Sequence, residues 1–244
     1  MALGSLLGGT LAGTGIAPQW SAAAVSLIVL PGAMLLVRSF PEGSSPQVAG
    51  EAQPATGLFI PGLVLLGICV VALGSNLLEG VSADWSAVYL TSVFGATGTS
   101  AGLGYATYAL TMAVGRFAGD WLRTRWGSVT VVRACYALAT IGVLVMVASP
   151  VYPFVLLGYA LAGFGGSVGV PLAISAAASL GDRPPATNVA MVTLISLIGF
   201  LCAPPIVGVV AQQFGLRVGI GLLLLPVLVA SILVAETLRR RVAN

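Results

Sequence analysis

GRFAGDWLRTRWG, running from Gly115 to Gly127, gathers Arg116, Asp120, Arg123 and Arg125 into one short stretch of a chain that is otherwise almost free of charge. Apolar runs flank it at residues 98–119 and 128–148. Each approaches or exceeds the roughly 18–20 residues of helix that cross a bilayer core about 30 Å thick. Only 7% of the 244 residues are charged and 58% are hydrophobic, with a mean hydropathy of +1.05. A soluble domain carries about 25% charged residues, so this chain has too few polar groups to cover a globule. The composition demands an all-α polytopic membrane protein and leaves no stretch of the 244 residues for a separate soluble domain.

Apolar runs bounded by Gly, Pro and charge define eight segments, at residues 2–16, 21–38, 58–80, 98–119, 128–148, 152–178, 187–211 and 218–237. The first, MALGSLLGGTLAGTGI, is short for a span and has no charged flank, which makes a poor secretory signal and reads as a helix without its beginning. Residues 39–57, rich in Pro, Gly, Ser and Glu, read as the one long linker. The remaining connectors are short, so successive helices are expected to be antiparallel neighbours. Arginine bias sets the orientation. With the C-terminus in the cytoplasm, Arg38, Arg116, Arg123, Arg125, Arg133, Arg183 and Arg239 to Arg241 fall inside and only Arg217 falls outside. Both termini are then cytoplasmic.

The charge balance carries no nucleic-acid signal. Ten arginines, no lysine and seven acids give +3, and the arginines sit where segments meet the membrane surface. No histidine occurs, which removes HExxH zinc chemistry, histidine-based triads and histidine proton relays. The absence of lysine closes Ser–Lys hydrolysis too. Cys69, Cys135 and Cys202 lie singly in apolar runs and read as small apolar residues, not as disulfide partners or metal ligands. The chain is expected to be no enzyme and to hold no metal or cofactor.

Arg116 and Asp120 are four apart and Asp120 and Arg123 three apart, so a continuing helix would set them on one face. On physics alone the stretch reads as a positive-inside anchor whose arginines also meet anionic headgroups. Its pattern says more. G-R-x-x-G-D-x-L-x-x-R-x-G between two spans resembles the second copy of the loop signature of the major facilitator superfamily. EGVSADWSAVYL (Glu79 to Leu90) resembles the end of helix seven in that family's bacterial sugar-permease-like members. APPIVGVVAQQFGLR (Ala203 to Arg217) resembles their helix eleven and its outer turn. Thr124 stands where the signature usually carries an acid, and Asp120 lies four residues earlier.

The resemblance implies a major facilitator-type helical bundle, with the eight segments as helices five to twelve. Residues 1–38 would be the last two helices of the N-terminal half, 39–57 the cytoplasmic linker and 58–244 the C-terminal six-helix half. It also implies secondary active transport of a small-molecule substrate across the bacterial plasma membrane, by two halves rocking about a central site. A sugar or related polar metabolite is favoured, with drug or metabolite efflux as the alternative within transport. In the family this loop latches the cytoplasmic ends of the halves, which implies that role for Arg116, Gly119, Asp120, Arg123, Arg125 and Gly127. Its implied contact is the stretch Met1 to Leu6. Helices one to four have no counterpart among the eight segments. Either the chain starts at an internal methionine of a longer one, or it is a remnant or helical scaffold that transports nothing. Self-association or a further N-terminal segment would supply the missing wall.

Substrate and proton candidates come from polar residues inside spans, where an ionisable group costs about 2.5–3.5 kcal/mol on insertion scales and so faces the protein interior. Ser75, Asn76, Glu79, Ser82, Ala83 and Ser86 share a helical stripe near the outer half of a span. Glu79 on that stripe is a proton carrier or a structural carboxylate. Asp84 is a further candidate for the substrate or proton site, or an interface residue beside Trp85, itself a belt aromatic. Tyr105 and Tyr108 lie mid-helix, lining a solute cavity or bonding a neighbouring carbonyl. Asn188 reads as an N-cap or turn residue, and Gln212 and Gln213 as outer-surface residues. Pro31, Pro61, Pro171, Pro204, Pro205 and Pro226, with the run Gly163, Gly165, Gly166 and Gly169, mark helices that are kinked or closely packed.

Overall fold

The computed structural model describes residues 61–243, with side chains as far as Glu236. The expected segments at 2–16 and 21–38, the linker at 39–57 and the side chains of Arg239 to Arg241 lie outside the described residues. Seven helices follow in order: α1 (Leu63–Phe94), α2 (Thr99–Trp126), α3 (Ser128–Ala148), α4 (Tyr152–Gly166), α5 (Gly169–Ala178), α6 (Pro185–Phe214) and α7 (Leu216–Ala243). By length and composition α1, α3, α4 with α5, α6 and α7 each suffice to cross a membrane. The chain is thus an all-α, multi-pass membrane protein. At 28 residues, or about 42 Å of helix, α2 is long enough as well, but its last third is charged.

The expected boundaries hold best at 128–148, where helix and apolar run coincide. Elsewhere the helices outrun the apolar runs. The segment expected at 58–80 continues to Phe94, so Glu79 sits near the middle of a 32-residue helix and not toward its outer end. Gly95, at φ 67°, stops it: the Gly95 and Ala96 amides donate back to the Thr91 and Leu90 carbonyls at 3.0 and 3.1 Å. The charged stretch, read as a loop, is helical as far as Trp126. Arg, Leu and Trp all continue a helix, and cations in the last turn suit its negative end. Only Gly127, at φ 77°, breaks the chain between α2 and α3.

The span expected at 152–178 is two helices. Pro171 is the cause: its ring would clash with the carbonyl of Ser167, four residues back, and it has no amide to donate there. The chain yields at Ser167–Val168, and Pro171 falls in the first turn of α5, where its missing N–H costs nothing. Pro204 and Pro205 stay inside α6 and Pro226 inside α7.

The hub is α1, packed against α2, α4, α5, α6 and α7. Buried tyrosines tie the bundle to it. The Tyr136 hydroxyl of α3 donates to the Val71 carbonyl, and the Tyr89 hydroxyl of α1 donates to the Met146 carbonyl at 2.8 Å. Between α3 and α4 the backbones nearly touch. A Cβ on Gly142 would stand 2.6 Å from the Ala162 nitrogen, and one on Gly158 would stand 2.7 Å from the Gly142 carbonyl oxygen. In lipid, where apolar surface gives helices no reason to associate, such close approach supplies the dispersion contact that holds them. Cys69 and Cys135 are buried free thiols in this packing, and Cys202 is exposed on α6.

Candidate functional site

The signature glycines have a packing role that their spacing foreshadows. Gly115 and Gly119 fall four apart on α2 and face the break between α4 and α5. A Cβ on Gly115 would run into Ser167, standing 2.8 Å from its Cβ and 3.1 Å from the Phe164 carbonyl oxygen. One on Gly119 would press on Val168 at 3.3 Å. This close approach leaves a cavity of about 170 Å³ beside it, lined by Arg116, Gly119, Asp120, Arg123, Ser167, Val168, Pro171 and Leu172. Four of the six proposed latch residues therefore share one cavity. The other two do not reach it. Arg125 lies over the Trp121 ring, 5.8 Å from its centroid, and Gly127 is the turn. Among the described residues Asp120 and Arg123 form no ion pair.

Arg116 is paired across the hairpin, not within its own stretch. Its Nη2 lies 3.5 Å from Oε2 of Glu79 on α1. Arg116 stands ten residues, or about 15 Å, inside the end of α2. Glu79, near the middle of α1, supplies its opposing charge. The pair sits on an open side of the α1–α2 hairpin: the Glu79 side chain is 23% exposed and that of Arg116 51%. Tyr105 and Tyr108 lie about three and two turns back along α2, their rings stacked 6.2 Å apart at 14°, within electrostatic reach of both charges. Tyr108 is fully buried and its hydroxyl has no hydrogen-bond partner among the described residues. The arrangement offers one anion, one cation, a half-buried phenol and a buried one on a single helix pair.

The polar stripe on α1 divides. Ser75, Ser82 and Ser86 are buried against other helices, and the Ser75 hydroxyl donates to the Gly166 carbonyl at 2.6 Å, where α4 ends. Asn76 and Glu79 are half-buried at its edge, and Ala83 and Asp84 are exposed. The Trp85 indole packs toward Gly208 of α6, and its Nε1 is buried. Asn188 is no N-cap. It lies inside the first turns of α6, fully buried, with its Nδ2 donating to Asp182 Oδ1 at 2.8 Å. Gln212 and Gln213 are exposed. A second ion pair, Arg133 Nη1 to Glu236 Oε2 at 2.7 Å, joins α3 to α7. Nothing local in the sequence points to it, since its members are far apart in the chain and neither belongs to a motif.

A helical bundle broken at Ser167–Val168, with an ion pair near the middle of its longest helix and charge gathered at the end of α2, is that of a polytopic membrane protein. Residues 64–243 match the Major Facilitator Superfamily, and the chain belongs to it. An uncharacterized transporter of Sinorhizobium fredii is 38% identical over 165 residues, covering 67% of this chain and 43% of that protein. An uncharacterized MFS-type transporter of Yersinia pestis is 34% identical over 145 residues, covering 59% of this chain and 38% of the relative. The membrane protein MosC of Rhizobium meliloti is 29% identical over 211 residues, covering 86% of this chain and 51% of MosC. The chain thus spans about half the length of the curated relatives it matches, at most 51% of any of the three. Two of these relatives carry the name of transporters, and the family is one of membrane transport proteins.

Proposed function

We propose that this chain carries the C-terminal half of a secondary transporter that moves a small polar solute by alternating access, coupled to protons through Glu79. In this reading residues 1–38 are the last helices of the N-terminal half, 39–57 the cytoplasmic linker and 58–244 the complete second half, in a bacterial plasma membrane with both termini cytoplasmic. The observation that carries it is the Glu79–Arg116 pair, held inside the span on a half-exposed face. A carboxylate fully enclosed with its partner carries a desolvation cost that the pairing need not offset. One left within reach of a water-filled path can exchange its proton, and Asn76 and Tyr105 beside it are neutral groups suited to solute hydroxyls. The open apolar face of α6, with Leu194, Leu197, Ile198 and Leu201 exposed, fits contact with an opposing half.

Protonating Glu79 removes the charge that holds Arg116, which also lines the cavity of Asp120 and Arg123. Proton binding at the site would thereby loosen the latch, a two-state contact of the kind that switches transporters. The test is uptake into proteoliposomes holding the full transport unit, driven by an imposed pH gradient, across a panel of sugars, related metabolites and efflux substrates. Glu79→Gln should abolish accumulation while leaving downhill exchange, and accumulation that survives returns Glu79 to a structural role. Asp120→Asn should slow both modes without reducing membrane insertion. Transport of no compound by any assembly containing the chain would favour the scaffold reading.

A further inference from the structure

At the end of the bundle opposite the signature cluster, one arginine stands apart. Arg217, the exception to the arginine bias, opens α7 and lies over the ring of Phe94, 5.6 Å from its centroid. Phe94 is held in turn by edge contacts with Tyr89 and Tyr152, at 5.8 and 6.1 Å between centroids. Among the described residues Arg217 has no carboxylate partner. A guanidinium stacked by its face keeps its edge N–H groups free, and that fork matches the oxygens of a phosphate.

From Arg217 an open groove of about 440 Å³ runs down the outside of the bundle between α3 and α7. Val147, Val218, Gly221, Leu222, Leu225 and Pro226 line it, all apolar. Gly221 lies one turn beyond Arg217, and Pro226 is the furthest of the lining residues along α7. From Arg217 to Pro226 is nine residues, about 13 Å of helix rise. Half of a bilayer core about 30 Å thick is about 15 Å. The groove therefore has the depth of one leaflet, with a cation at the headgroup level and hydrocarbon-lined walls below.

We propose that this groove binds one anionic phospholipid, its phosphate on Arg217 and an acyl chain along α7 between Leu222 and Val147. Charge complementarity selects the occupant. A second protein helix would bring apolar surface to the groove but leave the guanidinium without a counter-charge, whereas a phospholipid supplies both parts. The site lies apart from the Glu79–Arg116 pair and does not depend on the transport reading.

The test is native mass spectrometry of the full 244-residue chain in detergent, titrated with phosphatidylglycerol, and separately with phosphatidylcholine and inorganic phosphate. One phosphatidylglycerol should be retained per chain, with phosphatidylcholine held about tenfold more weakly and inorganic phosphate not held. Arg217→Gln should weaken phosphatidylglycerol retention about tenfold, the loss of one charge-assisted contact. Gly221→Leu should abolish it by filling the groove. A Cβ at 221 meets Val147 and Leu225 only at 3.8 Å, so Gly221→Ala keeps the fold and reports a partial loss if the leucine variant misfolds. Arg123→Gln, at the other membrane face, should leave retention unchanged. Equal retention by wild type and Arg217→Gln would overturn the proposal. So would dimers in place of lipid adducts, or a photo-cross-link from position 222 to residues 21–38.

Discussion

Gly163 is where a single methyl group should do most damage to the candidate site. It lies on α4 against α2, and a Cβ added there would fall on the Tyr108 carbonyl oxygen and the Thr111 hydroxyl and stand 2.9 Å from the Tyr108 carbonyl carbon. Carbon atoms pack at about 3.5–4.0 Å, so even that one contact requires α2 to retreat by roughly 0.6 Å, and the two oxygens require more. The obstacle is largely backbone, which cannot swing aside like the tip of a side chain. Overpacking of this kind costs about 1–3 kcal/mol, and a chain of this size loses about 2–4 °C of Tm per kcal/mol. Gly163→Ala should therefore melt about 2–12 °C below wild type in detergent. Because α2 carries both Tyr108 and Arg116, the retreat should also lengthen the 3.5 Å Glu79–Arg116 contact and impair proton-driven uptake. Gly221→Ala is the control: its nearest neighbours stand at 3.8 Å, so it should melt within about 1 °C of wild type or above it. If both variants melt alike, the close approach of α2 and α4 is not what holds this part of the bundle.

Tyr108→Phe removes a fully buried hydroxyl that has no partner among the described residues. It should raise thermal stability by about 1–3 kcal/mol, the cost of leaving a buried donor unmet; a fall in Tm would mean that a bound water or a group outside the described residues satisfies it. At the Arg133–Glu236 pair, Arg133→Gln should destabilise more in the wild-type background than in a Glu236→Gln background, since the two side chains meet at 2.7 Å. Equal or additive losses in a double-mutant cycle on Tm would show that the two side chains do not stabilise each other.

The spans were legible because charge is so scarce that each polar residue is an event. Where helices end was not, because charge does not end a helix. Arg116, Asp120, Arg123 and Arg125 looked like a loop through their polarity, yet the chain turns only at Gly127, where the backbone enters a left-handed conformation. The glycine run and Pro171 were visible as a weak point, but its position at Ser167–Val168 follows from the four-residue reach of the proline ring. Asn188 misled for a related reason. It follows the turn-like Gly181 to Pro185, but Pro184 takes the cap position and the asparagine falls one turn inside, against the interior.

The pairing of Glu79 with Arg116 was within reach of the sequence, by register and not by motif. Glu79 lies 16 residues before Gly95 and Arg116 lies 18 after Gly98, so an antiparallel hairpin folded at that turn sets them level. What hid the pair was the assignment of each residue to a different task, the carboxylate to the site and the arginine to the latch. The geometry makes them one electrostatic unit. Arg116 both contacts Glu79 and lines the cavity of Asp120 and Arg123. Any change of charge at Glu79 must therefore be felt first at Arg116. Moving the carboxylate without deleting it separates that coupling from simple loss of a proton carrier. Glu79→Asp keeps a proton-binding group but shortens its reach by one methylene, which opens an ion pair already at 3.5 Å. If coupling runs through the contact, Glu79→Asp should bind protons yet fail to drive accumulation. If the carboxyl alone suffices, it should work nearly as well as Glu79.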